Sequence, residues 1–238
     1  MNLILLFKED FISSNQVTLN DFRRDHIIII LKAKEGDTLC VGVCDGLMGE
    51  GRVVRISDEG VILDIVLHQP PPKALALTLI MPLPRPHVLK RTLQCASSLG
   101  IKKIIILNFN RVEKSLWNSS ALKPAAIKEQ LVLGLQQAKD TMMPEVIIKR
   151  SFKIFVEDEL PGLIKGSLAV VAHPGQGGQI PHKVKGPLTL LIGPEGGIID
   201  AELQAIKNVG FQTIDLGPRV LKVASVLPYL LGSLSLTS

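Results

Sequence analysis

Two rhythms of apolar positions divide the chain. Through the first seventy residues, apolar side chains come in short runs broken by turn signals. Met1 to Phe7 reads as a strand. Thr38 to Cys44 is a second strand, closed by the turn Asp45-Gly46. Glu50 to Ile56 and Val61 to Leu67 are two more, separated by Ser57-Asp58-Glu59-Gly60. Short strands spaced about 8–12 residues apart, with turns between them, predict a small barrel or sheet. Asp21 to Lys34, with Gly36 just beyond, predicts one helix packed on it. Then comes Gln69-Pro70-Pro71-Pro72-Lys73. Three prolines suit neither a strand ladder nor a helix interior, so this is a stiff linker between residues 1–70 and 74–238.

Beyond the linker the apolar runs lengthen and alternate with helical patterns. Strand candidates are Ala74–Met81, Ile104–Leu107, Val146–Ile148, Leu168–Ala172, Leu188–Ile192 and Thr213–Leu216. Helix candidates are Val88–Leu99, Ala125–Lys139, Ala201–Val209 and Val223–Leu236, with Pro228 breaking the last. Near-continuous apolar strands alternating with helices predict an α/β domain, a parallel sheet covered on both faces. Such sheets bind ligands at the C-terminal ends of their strands. Two loops stand out there, Gly193-Pro194-Glu195-Gly196-Gly197 and Gly217-Pro218-Arg219.

Charge sharpens the division. The 238 residues carry a net +5. Residues 1–70 hold seven Lys/Arg against eleven Asp/Glu, a net of −4. Residues 71–238 hold twenty against eleven, a net of +9. A polyanionic partner would lean on the second part. No apolar run reaches the ~18–20 residues of a membrane span, and the N-terminus lacks the basic flank of a signal peptide. Three cysteines, Cys40, Cys44 and Cys95, suit a reducing cytoplasm. Cys40 and Cys44 share a strand face but lack the further ligands of a zinc site, and no metal is expected.

The glycine loop after Leu190-Leu191-Ile192 lets backbone approach a ligand closely. It is not a Walker loop, because no Gly-Lys-Ser/Thr follows. Asp200 is a candidate N-cap for the next helix, with Glu202 in its first turn. Trp117 sits in the basic stretch Arg111-Val112-Glu113-Lys114-Ser115-Leu116-Trp117, where base stacking and helix packing are equally open roles.

Leu191-Ile192-Gly193-Pro194-Glu195-Gly196-Gly197, followed by Leu216-Gly217-Pro218-Arg219-Val220-Leu221-Lys222 ahead of a terminal helix, resembles the bacterial 16S ribosomal RNA uridine-N3 methyltransferase family. That family belongs to the SPOUT class of trefoil-knotted methyltransferases. Asp25-His26 to Leu31-Lys32, Gly36-Asp37 and Asp45-Gly46 resemble its N-terminal PUA-like barrel. Ser98-Leu99-Gly100-Ile101, Met143-Pro144-Glu145-Val146 and Ala172-His173-Pro174 fall in the family's order.

The resemblance implies a PUA-like β-barrel over residues 1–70. It implies a SPOUT-type parallel α/β domain with a C-terminal trefoil knot over 74–238. It also implies S-adenosylmethionine as methyl donor, 16S ribosomal RNA of the small subunit as partner, and a homodimer. The donor would be wrapped by Ala172, His173 and Pro174, by Ile192 with Gly193, Pro194, Glu195, Gly196 and Gly197, and by Leu216, Gly217 and Leu221. Arg219 and Lys222 are the candidate catalytic residues, positioning the uracil or a neighbouring phosphate. Candidate RNA contacts are Arg23 and Arg24 in the first part, and Arg85, Lys90, Arg91, Arg111 and Lys114 in the second.

Two other readings remain. A non-catalytic RNA-binding or assembly protein would keep the donor site and lose turnover. Lys222 and Ala224, where the family usually has Arg and Glu, favour it, and the intact Gly193–Gly197 loop opposes it. A small-molecule α/β enzyme would instead use that loop for phosphate.

Overall fold

The computed structural model describes residues 2–175, 178, 184–217 and 223–234. The chain divides into two compact units. One comprises Met1–Lys73 with Leu131–Met143; the other comprises Ala74–Gln130 with Pro144–Ser238.

The first unit is built on a five-stranded sheet ordered β1-β3-β4-β5-β2. Its strands are β1 (Ile4–Leu6), β2 (Gln16–Leu19), β3 (Thr38–Val43), β4 (Met48–Ser57) and β5 (Gly60–Gln69). β1 runs parallel to β3 and the other pairs are antiparallel. Side chains alternate along β1 with the period of two that a strand imposes. Ile4 and Leu6 enter a core with Val17, Leu19, Ile27, Val41 and Leu63. Leu3 and Leu5 enter another with Met48, Val132 and Leu135. The segment Leu131–Met143 is also tied to the turn after β3. Asp45, at φ +58°, donates its N–H to the Thr141 carbonyl, and its carboxylate accepts from Met143.

Here the helix expected over Asp21 to Lys34 is shorter and irregular. Asp21 caps α1 (Phe22–Asp25) by accepting from the Arg23 N–H, and a π-helical turn, His26–Ile30, follows. The wider turn keeps Ile27 buried while Ile29 and Ile30 stay exposed. Four consecutive isoleucines give no 3.6-residue stripe, so the α pattern has nothing to sustain it.

The second unit carries a six-stranded, wholly parallel sheet ordered β11-β9-β10-β6-β7-β8. Its strands are β6 (Leu75–Pro82), β7 (Ile101–Leu107), β8 (Glu145–Lys149), β9 (Leu168–Ala172), β10 (Leu188–Ile192) and β11 (Gln212–Ile214). Every residue of β10 is buried, as expected for a central strand covered on both faces. The helices are α2 (Pro86–Ser98), α3 (Pro124–Ala138), of which the part from Leu131 on belongs to the first unit, α4 (Phe152–Ile154), α5 (Leu160–Leu163), α6 (Asp200–Val209) and α7 (Val223–Leu234). α2 buries Leu89, Thr92, Leu93, Ala96 and Ser97, one stripe at helical spacing.

Three sequence expectations change here. The helical stretch from α4 through Phe155–Glu159 to α5 has no counterpart among the sequence candidates. α6 begins at Asp200, with Ile199 in the capping position, so Asp200 is a first-turn acid and not the cap. Pro228 lies inside α7, and the helix continues through it. Val226, Leu227 and Leu230 of α7 are buried, and α7 packs against α2.

Candidate functional site

At the C-terminal ends of β9, β10 and β11 the loops diverge around a cleft enclosing about 710 Å³ of space open to solvent. This is where an open parallel sheet leaves room for a ligand. Ala172, His173 and Pro174 enter from β9. Ile192, Gly193, Pro194, Glu195, Gly197 and Ile198 enter from β10. Asp215, Leu216 and Gly217 enter from β11, and Val226 from α7.

The β10 loop is a tight turn closed by the Gly197 N–H donating to the Pro194 carbonyl at 2.8 Å. Gly197 holds φ +80°, a left-handed conformation that a residue with Cβ adopts only at a cost. Gly193 is needed for a different reason. A Cβ there would meet the Ile198 side chain at 2.6 Å, so its absence lets Ile198 fold back against the loop.

Asp215 stitches the other two loops together. Its Oδ2 accepts from the Gly175 N–H at 3.1 Å and its Oδ1 from the Gly217 N–H at 3.0 Å. The His173 N–H donates to the Ile214 carbonyl at 3.0 Å. The lining is therefore mostly main chain and aliphatic carbon, with His173 and two acidic residues, Glu195 and Asp215. Such a surface suits a flat heterocycle read by backbone groups. The carboxylates favour a cationic ligand over a phosphate.

Two further contacts anchor the β10 loop from the side of β7. Glu202, buried in the first turn of α6, accepts the Asn110 N–H at 2.7 Å. Arg111 donates from Nη1 to the Gly196 carbonyl. A Cβ on Gly196 would meet the Arg111 side chain at 3.3 Å.

Ten of the expected donor-loop residues converge on the cleft. Gly196 does not line it; it faces Arg111 instead. Leu221 and both candidate catalytic residues, Arg219 and Lys222, lie outside the described residues. Ile198, Asp215 and Val226 line the cleft although no sequence motif pointed to them. The Asp next to Leu216-Gly217 was the one available signal. A short acid flanking a glycine turn is a ready acceptor for backbone N–H groups.

The candidate RNA contacts separate sharply. Arg85, Lys90, Arg91, Arg111 and Lys114 are exposed on the second unit. Arg23 is buried at 4% exposure and does not face RNA. Its guanidinium donates to Asp10 at 2.6 and 2.7 Å, to Asp21 and to the Leu5 carbonyl, and it lies over the Phe7 ring. Burial opposes its charge, but the two carboxylates outweigh that and hold its pKa above the ordinary arginine value. Arg24 bonds the Ser57 carbonyl and Asp25.

Trp117 is buried. Its indole N–H donates to Asn108 at 3.0 Å and Arg150 lies over its ring, so it packs and does not present a stacking face. Cys40 and Cys44 are partly buried against the Leu3–Leu5 core. Among the described residues no His/Cys/Asp/Glu cluster could hold a metal, and no helix is long and apolar enough to cross a membrane.

A family model described as an RNA methyltransferase domain matches residues 71–235. Ribosomal RNA small subunit methyltransferase E of Treponema pallidum is 26% identical over 235 residues, taking in 93% of this chain and 86% of that protein. Ribosomal RNA small subunit methyltransferase E 1 of Borreliella burgdorferi is 26% identical over 230 residues, with 93% and 92% covered. A ribosomal RNA small subunit methyltransferase E from Neisseria gonorrhoeae, in a crystal structure bound to S-adenosyl methionine, shares the fold. Its TM-score is 0.76 at 18% identity, covering 98% of this chain and 96% of that one.

Proposed function

The chain belongs to the RNA methyltransferase domain family, and from that premise we propose that it transfers the methyl group of S-adenosylmethionine to small-subunit ribosomal RNA, at N3 of a uridine. The observation that carries this reading is the convergence of three separate loops on one cleft with aliphatic walls and two carboxylates. The relatives from Treponema and Borreliella are named for the same substrate, and the Neisseria protein binds this donor.

When bound, S-adenosylmethionine supplies an electrophilic methyl carbon on a positively charged sulfur. The cleft's own groups bind and orient. Gly193, Glu195 and Leu216 would offer main-chain groups to a flat base, since the Gly197 and Gly217 N–H groups already bond the Pro194 carbonyl and Asp215, and Asp215 fixes two of the loops. Glu195 and Asp215 offset the sulfonium charge. At the acceptor, uracil N3 gives its proton to solvent and its lone pair forms the new N–C bond. The S–C bond breaks with its electron pair left on sulfur. The protein's contribution is to hold the two partners in line and to stabilise the uracil oxygens as charge grows on them. Arg219 and Lys222 are the residues proposed for that second task.

The proposal extends to architecture. Residues 1–70 form a PUA-like barrel, residues 74–238 a trefoil-knotted domain, and two chains pair through that domain. Light scattering that gave only the monomer mass at micromolar concentration would refute the pairing. Calorimetry with S-adenosylmethionine, paired with a methyl-transfer assay on small subunits, tests the activity. Donor binding without transfer would leave the non-catalytic reading in its place.

A further inference from the structure

A second cleft opens at the same edge of the parallel sheet, across the loop that follows β10. It is lined by Pro82–Arg85 after β6, by Arg111–Glu113 and Leu116 after β7, and by Pro194–Gly196. Pro194 and Glu195 line both clefts, so the β10 loop is their common wall. The chemistry on the two sides differs. The first cleft is lined by Glu195 and Asp215 with no lysine or arginine among its described residues, whereas the second sets Arg85 and Arg111 against Glu113 and Glu195, beside Leu83, Pro84 and Leu116.

Both arginines are available to an anion. Among the described residues, the Arg85 side chain has one partner, Glu113 at 3.8 Å, and the two side chains are 63% and 61% exposed. A pair that long and that exposed contributes little and yields readily to a phosphate. Arg111 uses Nη1 on the Gly196 carbonyl and has no other hydrogen bond or ion pair among the described residues. Most of its five N–H donors remain for a ligand. A site with two arginines, two carboxylates and an apolar wall offers cations to a phosphate and acceptors to the N–H groups of a base, which suits a nucleotide.

We propose that this second cleft is the acceptor pocket and takes a single nucleotide turned out of an RNA strand. The base lies against Leu83, Pro84 and Leu116, and the phosphate lies on Arg85 and Arg111. Ring atoms within a stacked strand are out of reach of such a cleft, so the base must be extruded. Direct transfer needs donor and acceptor in adjoining sites, and a shared wall provides that adjacency. The inference rests on the reading of the first cleft as the donor site. It adds a role for Arg111 as a positioning residue, because the guanidinium that meets the RNA phosphate also holds the donor loop through Gly196.

The test uses the full chain, S-adenosylhomocysteine and a single-stranded RNA oligonucleotide carrying 4-thiouridine, cross-linked by near-ultraviolet light and mapped by peptide mass spectrometry. Cross-links should fall in residues 82–85 or 111–116. Arg85→Ala, which removes one charged partner of the phosphate, should cut that yield about tenfold at matched RNA concentration. Leu116→Trp, which fills the pocket, should cut it as well. Calorimetric affinity for S-adenosylhomocysteine should stay the same in both variants. Cross-links mapping elsewhere, or an unchanged yield in both variants, would overturn the acceptor pocket. Failure of the unmodified chain to bind S-adenosylhomocysteine would instead overturn the donor reading, and the cross-link map would still judge the second cleft by itself.

Discussion

Arg23 and Arg111 read alike in the sequence, as basic side chains open to a phosphate, yet they do opposite work. In the first unit, Asp10 and Asp21 enclose Arg23, and the Arg23 and Asp10 side chains are only 5% and 7% exposed. In the second unit, Arg111 stays at the surface and reaches back to a loop carbonyl with one nitrogen. The difference shows why net charge alone misjudges a binding face. The first part sums to −4, and one of its arginines is also withdrawn inside. The second sums to +9 with its loop arginines exposed. A count of ions becomes a surface only when burial is known.

The largest expected effect lies on the buried side of that contrast. Arg23→Met should destabilise the first unit by ~3–5 kcal/mol, because removing one partner leaves the Asp10 carboxylate buried without its counter-charge. Arg111→Ala, at an exposed site, should change stability by less than about 0.5 kcal/mol. Urea unfolding of both variants checks the pair. Equal losses would erase the distinction. Adding Asp10→Leu to Arg23→Met should recover much of the loss, since the stranded charge is then gone.

Next comes the donor. S-adenosylmethionine at 100 times its Kd should stabilise the second unit by ~2.7 kcal/mol, read as a shift in the urea midpoint. Asp215→Ala frees both Gly175 and Gly217 and should weaken donor binding about tenfold in calorimetry. An unchanged affinity would mean that Asp215 does not order the cleft.

RNA binding sharpens the comparison further. Replacing Arg85 and Arg111 together by Ala should flatten the log–log salt dependence by about 0.7 for each single-strand phosphate that is no longer neutralised. Arg24→Ala in the first unit should do less, because Arg24 is already held by Ser57 and Asp25. If the Arg24 variant loses more affinity at matched salt and melting temperature, the first unit is the RNA grip.

The smallest effect is in acid. Burial disfavours the Asp21 charge, but hydrogen bonds from Arg23 outweigh it and lower the Asp21 pKa. A lowered carboxylate contributes stability that is present above its unfolded pKa and lost as pH falls through the folded value. Asp21→Asn should therefore lose less stability than the unmodified chain between pH 5 and pH 3. The difference should stay below ~1 kcal/mol, because the Asp21 side chain is 41% exposed. A steeper acid loss in the variant would reverse the sign.

Much of the second unit was legible from its sequence. Leu168–Ala172 is apolar throughout and Leu188–Ile192 is apolar but for Thr189, and both strands match the expected bounds. The loops after β10 and β11 carried the Gly-Pro-Glu-Gly-Gly and Gly-Pro signals, and ten of the expected donor residues meet at one cleft. What stayed hidden depends on distant partners. Arg23 looks exposed until Asp10, thirteen residues earlier, folds against it. Leu131–Met143 sits in a helical pattern of the second stretch, yet Val132 and Leu135 pack under Leu3 and Leu5. Gln16–Leu19 is too short to announce a strand and is fixed by pairing with Val61–Asp64. Pro228 signals a break locally, but α7 continues through it, with Val226, Leu227 and Leu230 buried.

The central claim is that the cleft at the ends of β9, β10 and β11 supports methyl transfer to ribosomal RNA. The direct measurement is incubation of the purified chain with S-adenosylmethionine and unmodified small ribosomal subunits, followed by nucleoside mass spectrometry of the RNA. The account predicts new N3-methyluridine, formed in proportion to enzyme and time and reduced by Asp215→Ala. Saturable donor binding with no methylated nucleoside would contradict it.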